Sequence, residues 1–456
     1  MAIDTVNPVF KNRYDEWAQY EALDGGTKTM REAGKTYLPQ EPKEADQAYL
    51  NRLRRTTLFN GFKRTLRTLC SRPFLRPVQA EDTTEEEQAF ENNIDRRGQS
   101  LSDFAKAWLL QALKKNYGVV IVDHPQVDGE PDRAQTVAQD LRGYPVILQN
   151  EDLIDYKIEQ VEGRDELTEF RYFETVEKEN PEDQWTNELV KQIKVWRRDE
   201  ILIYRAPTDA GESVVAVADW TLHDSFPNTL GKIPVVTLYQ NKEATFDSDN
   251  NLNDLSFLNI NHWQNSSDQQ NILHVARVPI LFYKGWNKDD EFQIGPNTMA
   301  TAISTEADLK YVEHSGAAID AGSSEIDKIE DRMAIMGADM LVRRTASKTA
   351  TEKMLNEEAE TSELGQMVVS LETNLSRVYQ LIAEWNQGES NATFDIYKDF
   401  AINVDDGDLQ ILLQSRLAGE ITRETYLQEL KRRGVLSDGV DVEAEAETAD
   451  LDTPDE

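Results

Sequence analysis

The chain has 456 residues, of which 39% are hydrophobic and eight are Trp, which is enough to bury a core and to form about two to four structural units. Its 84 Asp and Glu outnumber 49 Lys and Arg, and the formal net charge of −35 has the wrong sign for a protein that grips duplex DNA by displacing counterions. Two interpretations of this charge stay open: an ordinary acidic protein kept dispersed by its charge, or a pore through which DNA slides without adhering.

The single cysteine and the hydropathy pattern exclude further classes of protein. Cys70 has no partner for an internal disulfide, and we interpret it as an inert core thiol because no base is nearby in the sequence. No apolar run approaches the ~20 residues that span a bilayer. The N-terminus also lacks the basic-then-apolar order of a signal peptide, so we expect no membrane partner.

The first element with a clear pattern is a basic segment at 51–79 that contains no acidic residue. Apolar residues from Leu53 to Leu69 recur at roughly helical spacing and predict a helix with a basic outer face that ends before Pro73. We expect this face to pair with acids of its own or a neighbouring subunit, with contact to nucleic acid as the alternative. The basic residues are Arg52, Arg54, Arg55, Lys63, Arg64, Arg67, Arg72 and Arg76.

The next segments predict a mixture of a helix and strands. A helix is predicted at about 101–116, and buried strands at 118–122, 145–148 and 233–238. Between them, turn-rich β-type runs from about 158 to 220 predict an antiparallel meander. Its predicted strands include 170–173, 201–204 and 214–217.

The remainder of the chain is predicted to be mainly helical. A long glycine-free helix covers 251–276, and a second helix starts near Ser323 or Ser324. In a third, from Thr351 to Trp385, apolar residues step by 4 and 3, which predicts that one stripe packs along another helix.

Two more helices are predicted within 408–434, separated by a break at 419–421 and with Thr422 as a cap. The acidic stretch 435–456 cannot bury enough apolar surface to become ordered, and we expect a flexible tail.

Motifs that carry chemistry do not form a recognisable site. The segment that starts at Asp247 begins like a calcium loop, but Leu252 stands where the turn glycine belongs, so a polar loop that caps the next helix is favoured. The five histidines lack metal-site spacing, and we interpret His262 and His274 as packing or interface residues. No nucleotide-binding loop is complete. We therefore expect no enzyme, no cofactor and no metal; a metal-dependent enzyme using Asp405, Asp406 and Asp408 is kept as an alternative.

Several short segments together resemble the portal proteins of tailed phages. The resemblance is carried by structural signatures rather than catalytic ones, and it extends over most of the chain before the acidic tail. These segments are YLNRL at 49–53, LFN at 58–60, GKIPVV at 231–236, LSFLNINHWQ at 255–264, SSD at 266–268, NILH at 271–274 and GEITRET at 419–425.

The resemblance implies an α+β, mainly helical fold: a portal fold with wing, stem, clip and crown, assembled as a ring, expected to be a dodecamer. The implied domains are a wing at 1–250, a first stem helix at 251–276, a clip at 277–321, a second stem helix at 322–337, a tunnel loop at 338–350, a long wing and crown helix at 351–388, crown helices at 389–434, and a disordered acidic tail at 435–456.

The function implied by the resemblance is a channel at one capsid vertex for DNA packaging, retention and ejection. The expected partners are other copies of the chain, double-stranded DNA, the terminase large subunit, the major capsid and scaffolding proteins, and a tail or head-completion adaptor. The expected location is the virion, at its portal vertex, after assembly in the host cytoplasm. The alternative is an acidic scaffold or adaptor protein of a virion that forms no channel.

The tunnel loop supplies the candidate site. Arg343, Arg344 and Lys348 lie in a stretch free of acids between Asp339 and Glu352, so a ring would carry one narrow belt of positive charge. Such a belt would contact phosphates without reading sequence. The alternative is that these bases pair with Glu357 or Glu358.

Overall fold

The computed structural model describes residues 2–125, 139–179, 185, 187–206, 220–277, 280–284, 308–312, 316–339, 341, 362–398, 406–418, 420–432, 436, 440, 442 and 445. The chain divides into two compact units, Met1–Tyr397 and Lys398–Glu456. Within the described residues, no helix is long and apolar enough to cross a membrane.

The helices of the first unit begin at residues that satisfy their free amide groups. Ser100 accepts a hydrogen bond from the amide of Asp103, and Thr84 and Glu87 form a reciprocal capping box. The helices are α1 (Pro8–Lys11), α2 (Tyr14–Gly25), α3 (Thr27–Ala33), α4 (Asp46–Arg55), α5 (Gly61–Ser71), α6 (Glu85–Phe90), α7 (Leu101–Lys114), α8 (Asn253–Ala276), α9 (Ala317–Asp339) and α10 (Glu363–Trp385).

The strands of the first unit form five antiparallel sheets in the described residues. The largest has the sequential order β4-β5-β6-β7-β8, a three-stranded sheet has the order β3-β2-β9, and the pairs β1-β14, β10-β11 and β12-β13 are two-stranded. The strands are β1 (Gln79–Glu81), β2 (Tyr117–Asp123), β3 (Tyr144–Leu148), β4 (Leu153–Val161), β5 (Arg164–Glu179), β6 (Asn187–Arg197), β7 (Glu200–Arg205), β8 (Thr221–Pro227), β9 (Val235–Tyr239), β10 (Asn241–Ala244), β11 (Asp247–Asp249), β12 (Ile280–Lys284), β13 (Asp308–Val312) and β14 (Thr393–Asp395).

The structure confirms the predicted strands that it describes. The three buried strands predicted at 118–122, 145–148 and 233–238 are β2, β3 and β9, and they lie in one sheet with β2 in the centre. The predicted meander is the five-stranded sheet β4–β8, in which each strand pairs with the next along the chain. The strand predicted at 214–217 lies outside the described residues.

The prediction of one helix through the basic segment 51–79 is wrong. The segment is divided into α4 and α5, because Thr56 adopts an extended conformation and ends α4. The side chain of Asn60 then accepts a hydrogen bond from the amide of Lys63 and starts a new helix. The pattern of apolar residues did not reveal the break between α4 and α5, because Leu58 in the connecting segment is also buried.

Two predicted helix boundaries are also corrected. The helix predicted from Ser323 or Ser324 begins earlier, because α9 starts at Ala317, where the carbonyl of Gly316 accepts from the amides of Ile319 and Asp320. The long helix predicted from Thr351 is interrupted at Ser362, an extended residue that caps α10. Residues 351–361 lie outside the described residues.

The predicted apolar stripe of α10 exists, but its main partners are strands. Leu364, Val368, Leu371, Leu375, Val378 and Ile382 are all buried. Helix α10 packs chiefly against β9 and β14, and less against α7. The prediction of a helical partner was wrong because heptad-like spacing defines an apolar stripe and not the kind of surface that covers it.

The second unit contains two helices in its described residues, α11 (Asp406–Leu417) and α12 (Arg423–Arg432). The hydroxyl of Thr422 accepts a hydrogen bond of 3.1 Å from the amide of Thr425, which confirms the predicted cap. Most of the predicted acidic tail at 435–456 lies outside the described residues.

A buried ion pair joins the two main sheets of the first unit. Lys194 on β6 donates to Asp123 on β2, and both side chains are less than a tenth exposed. Burial alone would lower the pKa of Lys194, but the nearby carboxylates, led by Asp123, outweigh it and raise that pKa. Removing one partner therefore leaves an uncompensated charge in the interior.

We expect Asp123→Asn to lower the free energy of unfolding by about 3–5 kcal/mol, because it leaves the buried ammonium group of Lys194 without its carboxylate partner. Denaturant unfolding monitored by Trp fluorescence measures this change. The control is the double variant Asp123→Leu/Lys194→Met, which removes both charges and is expected to cost less. A double variant no more stable than Asp123→Asn would contradict the explanation.

Candidate functional site

Helices α8 and α9 form an antiparallel helical hairpin. His262 Nε2 lies 3.0 Å from Glu330 Oε1, and Gln269 Nε2 donates to Ser323 Oγ at 3.0 Å. The later contact position on α8 thus meets the earlier position on α9, so the two helices are antiparallel. The 24 residues of α8 give it a length of roughly 36 Å. The sequence resemblance predicts two stem helices at 251–276 and 322–337, and this assignment stays a prediction.

The two helices approach closely where α9 has a glycine. A Cβ atom added at Gly322 would lie 2.2 Å from Oε1 of Gln269, so a side chain here would displace the amide group of Gln269. At this point Gln269 Nε2 also donates to the carbonyl of Ile319 at 2.8 Å. The glycine thus allows a buried polar side chain of one helix to reach the backbone of the other.

Strands β12 and β13 lie in the segment between the two helices. They pair antiparallel, with Ile280 opposite Val312 and Lys284 opposite Asp308. The sequence resemblance places the clip here, at 277–321. The described part of that segment is limited to 277, 280–284, 308–312 and 316–321.

The buried side of α8 is mostly polar, and most of its polar groups have a specific partner, although Nδ1 of His262 and Nε1 of Trp263 bond to no described residue. Ser256, Asn259, His262, Ser267 and Gln269 are all less than a tenth exposed. Unpaired polar groups in an interior cost free energy, so these residues fix which elements can pack on α8 and in what register.

The N-terminal helices supply several of these partners. Gln19 on α2 donates to Ser256 at 2.7 Å. Asn259 accepts from the amide of Phe62 and donates to the carbonyl of Phe59, both at 2.8 Å. The start of α5 is therefore held on α8 by hydrogen bonds between the side chain of Asn259 and backbone groups, which fix its position more specifically than an apolar contact would.

Arg52 connects α4 to α8 through a largely buried ion cluster. Its guanidinium donates to both carboxylate oxygens of Glu44, at 2.9 and 2.8 Å, and lies 3.6 Å from Asp268 on α8. The hydrogen bonds from Arg52 lower the pKa of Glu44, whereas burial raises the pKa of Asp268. Glu44 is therefore the main counterion, and Asp268 adds a weaker contact.

Asp24 at the end of α2 forms ion pairs with basic side chains of two other helices. Its carboxylate lies 3.6 Å from Lys63, 3.6 Å from Arg67 and 3.2 Å from Lys114. Burial alone would raise the pKa of Asp24, but these cations, led by Lys114, outweigh burial and lower it. Asp24 thus ties α5 and α7 to α2.

These contacts show which basic residues of the segment 51–79 pair with acids of the same chain. Arg52, Lys63 and Arg67 pair with acids of the same chain, which confirms the predicted pairing for those three residues. Arg54 and Arg64 form no ion pair with any described residue and lie exposed. The partners Glu44 and Asp24 were not anticipated, because nothing in the sequence around them distinguishes them from other acids.

The candidate tunnel residues Arg343, Arg344 and Lys348 lie outside the described residues, as do Glu357 and Glu358. The histidine prediction is tested at His262, which is buried, bonded to Glu330 and packed on Phe59 with ring centroids 5.1 Å apart. It is therefore a packing residue between elements, as expected.

The other candidate sites have structural roles where the structure describes them. Burial raises the pKa of Cys70 to about 11, as an inert thiol requires. Asp247 pairs with Arg13 at 2.9 Å, and it lies in strand β11 rather than in the predicted polar loop, because it pairs with β10. The side chains of Asp405, Asp406 and Asp408 lie outside the described residues, and the described residues contain no cluster of three potential metal ligands.

Comparison with known proteins adds one family match and a set of distant structural likenesses. Residues 251–386, which include the helical hairpin and α10, match the family described as Domain of unknown function (DUF4055). No curated protein matches the chain.

Among solved structures, the chain is similar to a chain from the neck of a native gene transfer agent particle computed with C12 symmetry. The TM-score is 0.38 at 11% identity, and the match covers 80% of this chain and 88% of that chain. The neck of the empty particle, computed with C6 symmetry, gives a TM-score of 0.38 at 12% identity with the same coverage.

A third similar chain comes from the virion of the native gene transfer agent particle. It gives a TM-score of 0.37 at 12% identity, covering 89% of this chain and 98% of that chain. The three likenesses are thus to components of gene transfer agent particles. At these TM-scores we draw no conclusion about assembly or function from them.

The Asp24 cluster predicts an acid-dependent loss of stability. Because the pKa of Asp24 is lowered in the folded chain, its contribution is complete above its unfolded pKa of about 4 and is lost as pH falls through the folded value. We expect Asp24→Asn to cost about 1–3 kcal/mol at neutral pH and to flatten the fall in stability below pH ~4.

Unfolding by denaturant at a series of pH values measures both effects. Asp199→Asn, which changes an exposed acid in a turn without an ion pair to a described residue, is the matched control. Equal acid sensitivity of the Asp24→Asn variant and the unchanged chain would contradict the role of the cluster.

Proposed function

We propose that the chain is the subunit of a ring-shaped phage portal that conducts DNA through one vertex of a capsid. The observation that carries the proposal is the antiparallel helical hairpin of α8 and α9, with the strand pair β12-β13 between its helices. This is the order of stem helix, clip and stem helix that the sequence resemblance implies. The residues of the resemblance at 255–274 lie on α8.

The hairpin also has the surface that a channel needs. The outer face of α9 exposes Asp320, Asp327 and Asp331, none of which pairs with a described base. In a ring, these acids are part of a net charge of −35 per subunit that repels the DNA backbone. A repelled polyanion moves through a pore without adhering to it.

The tunnel loop is the proposed exception to this repulsion. Arg343, Arg344 and Lys348 would place a belt of positive charge in an otherwise acidic channel. Contacts from such a belt to phosphates carry no sequence information, which suits a sliding contact. Ion pairs with Glu357 or Glu358 would remove this function.

The proposed partners follow from the role. The subunit would form a homo-oligomer, with a dodecamer expected, and would contact double-stranded DNA, the terminase large subunit, the major capsid and scaffolding proteins, and a tail or head-completion adaptor. The proposed location is the portal vertex of the virion, after assembly in the host cytoplasm. No catalytic role is proposed.

The second candidate function is an acidic scaffold or adaptor protein that forms no channel. The observation in its favour is the net charge of −35, which suits a dispersed binding protein equally well. The two functions differ in assembly, because only the portal requires a closed ring with a central opening.

We expect the purified chain to form a ring of 52.0 kDa subunits with a central opening in negative-stain images, and native mass measurement to give a discrete multiple of that mass. Because charged contacts are screened by salt, molar NaCl is expected to reduce the ring fraction. A chain that stays monomeric or dimeric under all conditions would favour the adaptor instead.

A second test addresses the tunnel belt. We expect Arg343→Ala/Arg344→Ala/Lys348→Ala to assemble normally but to retain about tenfold less packaged DNA, because the belt that contacts phosphates is lost. Nuclease-protected DNA per particle is the measurement. The control Lys11→Ala/Lys43→Ala/Arg97→Ala removes three exposed bases elsewhere. Retention equal to that of the control would overturn the belt hypothesis.

A further inference from the structure

Two exposed surfaces of the first unit have opposite charge. The first is the outer face of α9, defined by Asp320, Asp327, Asp331 and Ile335. These residues follow one another at helical spacing on the side turned away from α8. Ile335 is 71% exposed and lies one turn after Asp331, with the exposed bases Lys328 and Arg332 at the edge of this face.

The second surface is a groove between α3 and α4, with a volume of about 530 Å³. Its floor is formed by Leu50 and Leu53, and Lys28 and Arg54 lie along its rim. Leu50 is 41% exposed, and Arg54 has no ion pair among the described residues. Lys28 lies 3.9 Å from Glu32, which also lines the groove, so the groove offers an apolar floor and one base, Arg54, that no described acid neutralises.

The two surfaces lie on opposite sides of α8. Helix α9 contacts α8 at His262 and Gln269, whereas α4 contacts it at Ser267 and Asn271. At 3.6 residues per turn, the second pair of positions is rotated by roughly 140–200° from the first. A surface on α9 and a surface on α4 therefore face away from each other across the hairpin.

We propose that the outer face of α9 in one copy docks in the α3–α4 groove of the next copy. Ile335 would cover the apolar floor at Leu50, while Asp327 and Asp331 would face the rim bases Lys28 and Arg54. The proposal rests on the proposed ring and names the surface through which the ring closes.

The charge pattern supports a second copy as the occupant. Acids on one side and bases on the opposite side of one chain are complementary in head-to-tail order, which is the arrangement that closes into a ring. Two copies of the outer face of α9 would instead repel each other. The arrangement also gives Arg54 a counterion, which no described residue of its own subunit supplies.

Charge exchange tests this interface on the full chain. Asp327→Lys/Asp331→Lys and Lys28→Glu/Arg54→Glu each place like charges opposite one another, and we expect each to reduce the ring fraction at least about tenfold. Combining all four changes in one chain restores complementarity, and the ring is expected to return. An equimolar mixture of the two double variants is also expected to assemble, in alternating order.

The control is Glu159→Lys/Glu389→Lys, which changes the net charge by the same amount as the α9 variant but at exposed acids elsewhere in the first unit. Circular dichroism checks that every variant is folded. Ile335→Ser tests the apolar contact alone and is expected to weaken the ring at all salt concentrations, because its effect is not electrostatic.

The outcomes separate this interface from the proposed function. If the unchanged chain forms rings and the two double variants form them equally well, the interface is wrong while the portal proposal stands. Failure of both the four-fold variant and the mixture to assemble, when each is folded, also overturns the interface. If the unchanged chain forms no ring, the proposed function itself fails.

Discussion

The polar buried side of α8 is the constraint on which the rest of the first unit depends. A helix whose interior positions are Ser256, Asn259, His262, Ser267 and Gln269 cannot pack on an arbitrary apolar surface, because each side chain needs a partner of the right chemistry in the right place. The partners come from the N-terminal helices on one side and from α9 on the other. The register of the helical hairpin and its attachment to the N-terminal helices are therefore specified by hydrogen bonds, with apolar burial supplying stability elsewhere.

The parts of the fold that the sequence could predict are those whose buried positions are apolar and periodic. Strand β2 and the stripe of α10 were predicted because their buried positions are apolar and repeat with the period of the element. The break between α4 and α5 was missed because Leu58 kept the apolar spacing intact while Asn60 started a new helix. The partners of Arg52 and Asp24 could not be predicted, since their pairing joins residues distant in sequence and any of 84 acids was a candidate. The helical hairpin was expected from family resemblance rather than from periodicity.

The internal ion pairs determine what the surface of the subunit can do. Buried or half-buried bases such as Arg52, Lys114 and Lys194 are used to hold elements of one chain together. A one-to-one ion pair removes one base and one acid, so the excess of acids over bases stays on the remaining surface. The chain thus combines a cohesive interior with a repulsive exterior, a combination that suits a wall past which DNA moves and that opposes non-specific association of copies.

Such a repulsive exterior restricts how copies can assemble. Between two strongly acidic subunits, most relative orientations bring like charges together, and burial of a small apolar contact does not compensate for that repulsion. An orientation becomes favourable only where an uncompensated base meets an acid, and Arg54 at the α3–α4 groove is such a base. The same net charge that disfavours random contact therefore selects for one contact geometry, and repetition of one heterologous geometry is what a closed ring requires.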